Sequence, residues 1–164
     1  MSTEQTTQII EVSGTINAAL AKVALCASRF NSFIVERLIE GAVDALRRTG
    51  DPPHSITIIR CPGAFELPAV ARKCVASGRF DAVVCLGAII RGETPHFDYV
   101  AAETSKGIAA LGATAPIPVV FGVLTTETIE QAIERAGSKA GNKGADAALA
   151  ALELISLYRK LDHG

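Results

Sequence analysis

Short apolar runs alternate with longer amphipathic segments along most of the chain. A short apolar run between polar or turn-forming residues is typical of a strand buried inside a sheet. Four such runs are present: Lys22–Ala27, Ile56–Ile59, Ala82–Ile90 and Ile117–Leu124. The third is apolar over its whole length, as expected where helices cover both faces of a strand. We therefore predict four buried strands.

Segments with a helical spacing of apolar residues follow these strands. Apolar residues that recur every three or four positions mark one face of a helix. Five segments have this spacing: Phe33–Thr49, Leu67–Ala76, Asp98–Leu111, a segment with Ile129, Ala132, Ile133 and Ala136 on one face, and roughly Asn142–Leu161. Pro52 and Pro53 end the first segment, because proline neither continues a helix nor donates a backbone hydrogen bond. Gly137–Gly144 separates the last two segments.

The alternation of strands and helices indicates the fold class. Parallel strands joined by helices form one sheet through right-handed crossovers, with helices on both of its faces. We expect a single doubly wound, flavodoxin-like α/β domain over residues 1–164, with about four strands. Residues 1–12 would form an N-terminal arm, in which Thr7–Val12 is a weak candidate for an edge strand. In such sheets, ligands bind beyond the carboxyl ends of the strands.

The first two predicted strands are followed by residues suited to a flat, hydroxylated ligand. Phe30, in the segment Ser28-Arg29-Phe30-Asn31, could stack on a heterocycle or could cap the core. After the second strand, the Pro62-Gly63 turn leads to Pro68, which fits the first turn of a helix. Glu66 at this helix start could accept hydrogen bonds from a ligand, or it could serve only the helix dipole. The residue pattern leaves both pairs of alternatives open.

The segment after the third strand is the most polar one that follows a strand. It begins at Arg91 and opens a helix, so backbone amides near Thr94 suit a phosphate group. His96 could transfer protons, because imidazole exchanges protons near neutral pH, or it could be structural. The fourth strand carries Phe121, and the helix after it carries Arg135, which by position alone would be a solvated charge.

Composition and charge argue against several classes of protein. A formal net charge of −1, 5% aromatic residues and the lack of Trp speak against a nucleic-acid partner. The polar N-terminus and the shortness of the apolar runs argue against a signal peptide and a membrane span. None of the four cysteines belongs to a C-x-x-C pair. We expect free, buried thiols in a reducing cytoplasm rather than metal ligands.

Six segments together resemble the lumazine synthase family, and they occur in family order. They are Ser28-Arg29-Phe30-Asn31, Gly63-Ala64-Phe65-Glu66-Leu67-Pro68, Gly87-Ala88-Ile89-Ile90-Arg91-Gly92, Thr94-Pro95-His96-Phe97-Asp98-Tyr99, Gly122-Val123-Leu124-Thr125-Thr126-Glu127, and Glu134-Arg135-Ala136-Gly137 continuing to Asn142-Lys143-Gly144. Each segment alone is modest support, but the resemblance extends from about Val12 to Leu161. It favours a functional role for Phe30, Glu66, His96 and Arg135.

The resemblance implies an enzyme of riboflavin biosynthesis that needs no cofactor and no metal. It would condense 5-amino-6-(D-ribitylamino)uracil with 3,4-dihydroxy-2-butanone 4-phosphate to 6,7-dimethyl-8-ribityllumazine, with release of phosphate and water. Members of the family are homo-oligomers built from pentamers, and some form hollow icosahedral particles. The compact Gly137–Gly144 turn resembles that of the particle-forming members.

The resemblance also implies where the ribitylaminouracil binds. The residues implied to surround it are Phe30, Ala64, Phe65, Glu66, Ala88, Ile89, Ile90 and Phe121. Phe30 would stack on the pyrimidine, and Glu66 would accept hydrogen bonds from ribityl hydroxyl groups. The backbone of Ala88–Ile90 would contact the pyrimidine. Phe121 would cover the heterocycle from a neighbouring subunit.

A second set of residues is implied for the phosphate and the protons. Glu93 and Thr94 would bind the phosphate of the ketone through their loop, and Arg135 would reach it from a neighbouring subunit. Because a carboxylate repels phosphate, we expect the backbone amide of Glu93 to make the contact while its side chain points away. Lys143 could assist at the anion. His96 would donate and accept protons.

Two alternatives from other classes of protein remain. One is a shell protein that binds a ribityl compound or a flavin and has lost catalysis, which a turnover assay would distinguish. The other is a generic doubly wound nucleotide-binding or signalling domain. Against the latter, no Gly-x-Gly-x-x-Gly follows a strand, and Gly137–Gly144 lacks both the spacing and the preceding strand of a phosphate loop.

Overall fold

The computed structural model describes residues 6–17 and 19–164 and contains a four-stranded parallel sheet. The strands are β1 (Lys22–Ser28), β2 (Ser55–Cys61), β3 (Ala82–Ile90) and β4 (Val119–Thr126), in the order β2-β1-β3-β4. The helices are α1 (Ser32–Arg47), α2 (Leu67–Ala76), α3 (His96–Thr114), α4 (Ile129–Arg135) and α5 (Lys143–His163). The predicted doubly wound, flavodoxin-like fold is confirmed. No helix in this part of the chain is long and apolar enough to cross a membrane.

Helices cover both faces of the sheet and create two apolar cores. In β1, the side chains of Val23, Leu25 and Ala27 belong to the core that includes residues of α1 and α5. Those of Ala24 and Cys26 belong to the core that includes residues of α2 and α3. Every residue of β3 is buried except the last, Ile90, which is half-buried. This burial explains the uninterrupted apolar sequence of the strand. Because the strands are parallel, their carboxyl ends meet at one edge of the sheet.

Strand β4 begins and ends two residues later than the sequence predicted. Pro118 has no N–H group to donate to the ladder, although its carbonyl accepts a hydrogen bond from β3 at 2.9 Å. At the other end, Thr125 and Thr126 pair with the last two residues of β3 and extend the strand. Phe121 therefore lies within β4, opposite Cys85, and not at its carboxyl end.

The N-terminal arm contains no strand between residues 6 and 15. The candidate edge strand at Thr7–Val12 is therefore not formed within the described part of the monomer. Ile9 and Ile10 are 91% and 73% exposed, so the segment has no apolar surface of its own chain to pack against. Residues 1–5 of the predicted arm lie outside the described residues.

A small antiparallel hairpin lies between α4 and α5, where the sequence predicted only a separating turn. Its strands are β5 (Ala136–Ser138) and β6 (Gly141–Asn142). Gly137 and Gly141 have φ angles of 107° and 75°, a backbone conformation that favours glycine. The glycines of this stretch therefore allow a tight reversal of the chain.

Asn142 connects this hairpin to two helices. Its side-chain oxygen accepts a hydrogen bond from the backbone amide of Ala145 at 3.0 Å and so caps α5. Its side-chain amide donates to the carbonyl of Arg37 in α1 at 2.9 Å. Arg135 and Lys143, at the end of α4 and the start of α5, are thereby held in a fixed relation to α1.

All four cysteines are free and buried, as predicted. They belong to the core beneath α2 and α3, where the sulfur atoms of Cys26 and Cys74 are 3.7 Å apart. Burial raises the pKa of the Cys26 and Cys61 thiols, and it raises the pKa of Cys85 to about 12. Among the described residues, no group of three or more His, Cys, Asp or Glu side chains is placed to hold a metal ion.

Candidate active site

A cavity of about 660 Å³ lies at the carboxyl ends of β1, β2 and β3. This size suits a small-molecule substrate, and the position is where ligands bind in sheets of this kind. Nine of the twelve residues predicted for the site line this cavity: Phe30, Ala64, Phe65, Glu66, Ala88, Ile89, Ile90, Thr94 and His96. Segments far apart in the sequence are therefore brought together by the parallel sheet.

Phe30 lies in the segment that follows β1. The backbone amides of Arg29 and Phe30 donate to the carbonyls of Cys61 and Pro62 at 2.8 and 3.1 Å. These bonds tie the segment after β1 to the segment after β2. The Phe30 side chain is 73% exposed, so its ring does not cap the core. It is available to stack on a ligand in the cavity.

Asn31 lines the cavity but was not among the predicted site residues. An Asn before a helix usually caps it, but this side chain makes no capping bond to α1. It donates instead to the carbonyl of Ala88 at 2.8 Å, and its φ is 61°, a left-handed value that Asn tolerates. Asn31 thus fixes the segment after β1 against the end of β3. Its partner Ala88 lies 57 positions away in the sequence, so local sequence patterns did not reveal this role.

The segment after β2 supplies a second wall of the cavity. Ala64–Glu66 forms one turn of 3-10 helix that continues into α2, with Pro68 in the first turn as predicted. The backbone amide of Glu66 donates to the carbonyl of Gly63 at 3.3 Å, which closes this turn. The ring of Phe65 is 56% exposed. The carboxylate of Glu66 therefore lies at the start of a helix and beside the cavity, where it can accept hydrogen bonds from hydroxyl groups.

The loop after β3 enters α3 beside the cavity. This helix begins at His96, two residues earlier than predicted, and no side chain of the described chain caps it. The first backbone amides of a helix without a cap are suited to an anion. His96, Tyr99 and Val100 share one helix face that lines the cavity. Tyr99 and Val100 were missed because a helix that begins at Asp98 would not group them with His96.

Three predicted site residues do not line this cavity. Phe121 is 41% exposed and lines a separate hollow of about 420 Å³ between β4 and α3. Arg135 is the last residue of α4, and its guanidinium group donates to the carbonyl of Gln131 at 3.0 Å. Glu93 is exposed in the loop before α3. One chain therefore assembles most of the predicted site and leaves these three residues at its surface.

The arrangement divides the cavity chemically. The exposed rings of Phe30 and Phe65 can contact a flat heterocycle, and Glu66 can bind hydroxyl groups. The start of α3 can bind an anion, and His96 lies at that same place and can exchange protons. A ligand with an aromatic ring and a polyol, together with a phosphorylated one, would fit these groups.

Comparisons of the sequence with known proteins identify a family. The sequence model of the family described as 6,7-dimethyl-8-ribityllumazine synthase matches residues 20–159. The chain is 61% identical over 154 residues to the 6,7-dimethyl-8-ribityllumazine synthase of Chlorobaculum tepidum, which covers 94% of this chain and 99% of that protein. With the same coverage, it is 60% and 59% identical to proteins of that name from Chlorobium phaeovibrioides and Chlorobium luteolum. The matched region includes both the cavity and the three predicted residues outside it.

Proposed function

The chain belongs to the 6,7-dimethyl-8-ribityllumazine synthase family, and we propose that its reaction takes place in the cavity at the carboxyl ends of β1, β2 and β3. The reaction is a transferase step of riboflavin biosynthesis. It condenses 5-amino-6-(D-ribitylamino)uracil with 3,4-dihydroxy-2-butanone 4-phosphate and releases phosphate and water. One observation supports this location: nine residues that the family resemblance assigned to the site line a single cavity.

The ribitylaminouracil occupies the part of the cavity formed after β1 and β2. Phe30 stacks on the pyrimidine ring, and the backbone of Ala88–Ile90 binds its polar edge. Glu66 accepts hydrogen bonds from the ribityl hydroxyl groups. The high exposure of Phe30 and the position of Glu66 beside the cavity support this orientation.

The phosphate of the ketone binds at the loop before α3. Backbone amides near Glu93 and Thr94, together with the start of α3, receive the anion. Arg135 of a neighbouring copy supplies a positive charge, with Lys143 as a further cation. The uncapped start of α3 and the exposed position of Arg135 support this assignment.

The chemistry requires mainly positioning and proton transfer. The amine of the pyrimidine substrate attacks the ketone, water leaves, and an imine forms without an enzyme lysine. Phosphate is then eliminated, and the resulting carbonyl group condenses with the second nitrogen as the second ring closes with loss of water. Holding both substrates together lowers the barrier by about 7–11 kcal/mol at best. His96 moves protons between the intermediates, which contributes about 10²–10⁴-fold.

We also propose a homo-oligomer built from pentamers and located in the cytoplasm. Phe121 and Arg135 lie outside the cavity of their own chain, so a complete site would need a second copy. Exposed apolar residues such as Ile9, Ile10 and Leu20 offer surface for contacts between copies. Buried, unpaired cysteines suit a reducing compartment.

A turnover assay tests the proposed function. Purified protein is mixed with both substrates, and lumazine fluorescence is followed together with phosphate release. We expect both signals to rise together at a rate well above that of the uncatalysed mixture. Binding of the ribitylaminouracil without any rate enhancement would overturn the enzymatic proposal and favour a binding shell.

A further inference from the structure

Arg91, the first residue after β3, joins the segments that follow two strands. Its Nε donates to Oε2 of Glu127, just after β4, at 2.6 Å. A terminal nitrogen of the same guanidinium lies 3.1 Å from Oδ1 of Asp98, in the first turn of α3. The guanidinium carbon stands 4.3 Å from the centre of the Phe97 ring. The Arg91 side chain thus contacts both the first turn of α3 and the segment that follows β4.

The backbone around Arg91 strengthens this connection. Its amide donates to the carbonyl of Thr126 at 2.9 Å and so extends the pairing of β3 with β4. The amide of Glu127 donates to the side-chain oxygen of Gln131 at 2.9 Å. Gln131 also forms the capping box of α4 together with Thr128. Arg91 therefore links the start of α3 to the start of α4, the helix that ends at Arg135.

Arg91 differs from the ordinary surface ion pairs of this chain. Arg48 pairs with Asp44 one turn away on α1, and these side chains are 79% and 60% exposed. Such pairs contribute little, because water screens them and the long side chains lose entropy. The carboxylates of Asp98 and Glu127 are similarly exposed, at 59% and 61%, but the Arg91 side chain is only 37% exposed and joins residues that lie 7 and 36 positions away. Its planar group offers two carboxylates separate donors, which raises the pKa of Arg91 and fixes its geometry.

The charges around the loop explain why this matters for a phosphate. Asp98 and Glu127 carry negative charge near the place where the anion is proposed to bind, and Glu93 lies in the loop itself. Carboxylates without a balancing positive charge would repel a phosphate that binds at the start of α3. Arg91 balances two of them and keeps them in fixed positions. It also lies on the ring of Phe97, which lines the cavity beside His96.

We propose that Arg91 is a positioning residue for the phosphate-bearing substrate: by holding Asp98, Glu127 and the ring of Phe97, it sets the loop before α3 in the arrangement that receives the phosphate. This role rests on the proposed function, because it assumes that the ketone phosphate binds at the start of α3. Arg91 itself does not line the cavity and need not touch either substrate.

The test compares steady-state constants of Arg91→Gln with those of the unchanged protein. The KM for butanone phosphate should rise about tenfold or more, since misplacing a bound group by an ångström can cost 10²-fold. The KM for ribitylaminouracil should change by less than about threefold, because that substrate is held by other segments. The inhibition constant of inorganic phosphate should rise together with the KM for the ketone.

Two further variants distinguish positioning from a general loss of structure. Arg91→Lys keeps the charge but offers no planar fork, so its KM for butanone phosphate should fall between those of Arg91→Gln and the unchanged protein. Arg48→Gln removes an exposed ion pair at the carboxyl end of α1, and it should leave both KM values unchanged. Equal rises in both KM values for Arg91→Gln, or an unchanged KM for the ketone, would overturn the proposal.

Failure of the proposed function would be visible separately. If the unchanged protein made no lumazine, the proposed function would fail whatever Arg91 does. The Arg91 proposal would then depend on inorganic phosphate alone, measured as the rise in Tm that phosphate causes. That rise should be present in the unchanged protein and in Arg48→Gln and smaller in Arg91→Gln, and an equal rise in all three would overturn the role of Arg91.

Discussion

The cavity at the strand ends and the region of β4 and α4 outside it both carry residues that the family resemblance assigns to the site, but they differ in completeness. In the cavity, segments after three strands converge within one chain. Phe121 in β4 and Arg135 in α4 are exposed and lie outside that cavity. The first region contains a cavity of about 660 Å³ in which small molecules could bind, whereas Phe121 and Arg135 supply side chains outside it. Under the proposed function, the complete site would therefore form at a contact between copies, and the single chain would supply only part of it.

The topology explains the difference. Parallel strands bring their carboxyl ends together, so residues just after β1, β2 and β3 meet regardless of their separation in sequence. Phe121 lies within β4, which is at the edge of the sheet. A residue at that place cannot turn toward the strand ends of its own chain, but it can face a second copy.

Arg135→Ala should lower kcat/KM by about 10²–10³-fold, because truncating one partner of a desolvated charge contact costs roughly 2–5 kcal/mol. The effect should be largest when butanone phosphate is the varied substrate. Steady-state assays of lumazine formation measure it. A loss of less than threefold would show that Arg135 does not act at the site, and it would contradict the distinction drawn between the two regions.

Mixed assemblies of Arg135→Ala and His96→Ala chains test whether Arg135 acts in the cavity of its own chain or in that of another copy. If Arg135 serves the cavity of another copy, some mixed sites contain both unchanged residues, and activity should exceed the sum of the separate variants. If it served its own cavity, every site would lack one of the two residues. Mixtures refolded together and mixtures combined after folding provide the matched control.

His96→Ala should slow turnover by about 10²-fold, at the low end of the contribution of general acid–base catalysis. It should not abolish turnover, because the positioning of two substrates in one cavity is retained. The matched control is His54→Ala, since His54 is exposed in the connection between α1 and β2. Complete loss of activity in a His96→Ala protein that still binds both substrates would contradict the emphasis on positioning.

Glu93→Gln should change both KM values by less than about threefold. The backbone amide at this position is expected to contact the phosphate while the carboxylate faces away, so removal of its charge has only a weak, screened effect. A large fall in the KM for butanone phosphate would instead place the carboxylate close to the anion. A structure with a phosphate-bearing substrate analogue would then show which group makes the contact.

The sequence predicted the sheet from local patterns, and it predicted most of the cavity residues from the family resemblance. Uninterrupted apolar runs identified β1 and β3, and the polar segments after them contained Phe30 and His96. Local patterns failed where a distant contact decides the outcome. Pairing with β3 sets the first residue of β4 at Val119, and Asn31 bonds to Ala88, 57 positions away.

The role of Arg91 illustrates the same limit. Its partners Asp98 and Glu127 are brought to it only by the pairing of β3 with β4 and by the position of α3. Nothing in the residue types near Arg91 distinguishes it from a solvated charge. The N-terminal segment Thr7–Val12 is a further case, because its apolar residues find no partner among the described residues of the chain.

The four buried cysteines allow opening of the core to be measured by the rate at which they react with a thiol reagent. Thiolate is the species that reacts with disulfide reagents. Burial keeps all four sulfurs out of reach, and it raises the pKa of Cys26, Cys61 and Cys85. Labelling of the folded protein should therefore wait for the core beneath α2 and α3 to open, and its rate would measure how often that occurs. A single cysteine introduced on the surface should react far sooner, so a dye could be attached there while all four native cysteines are retained.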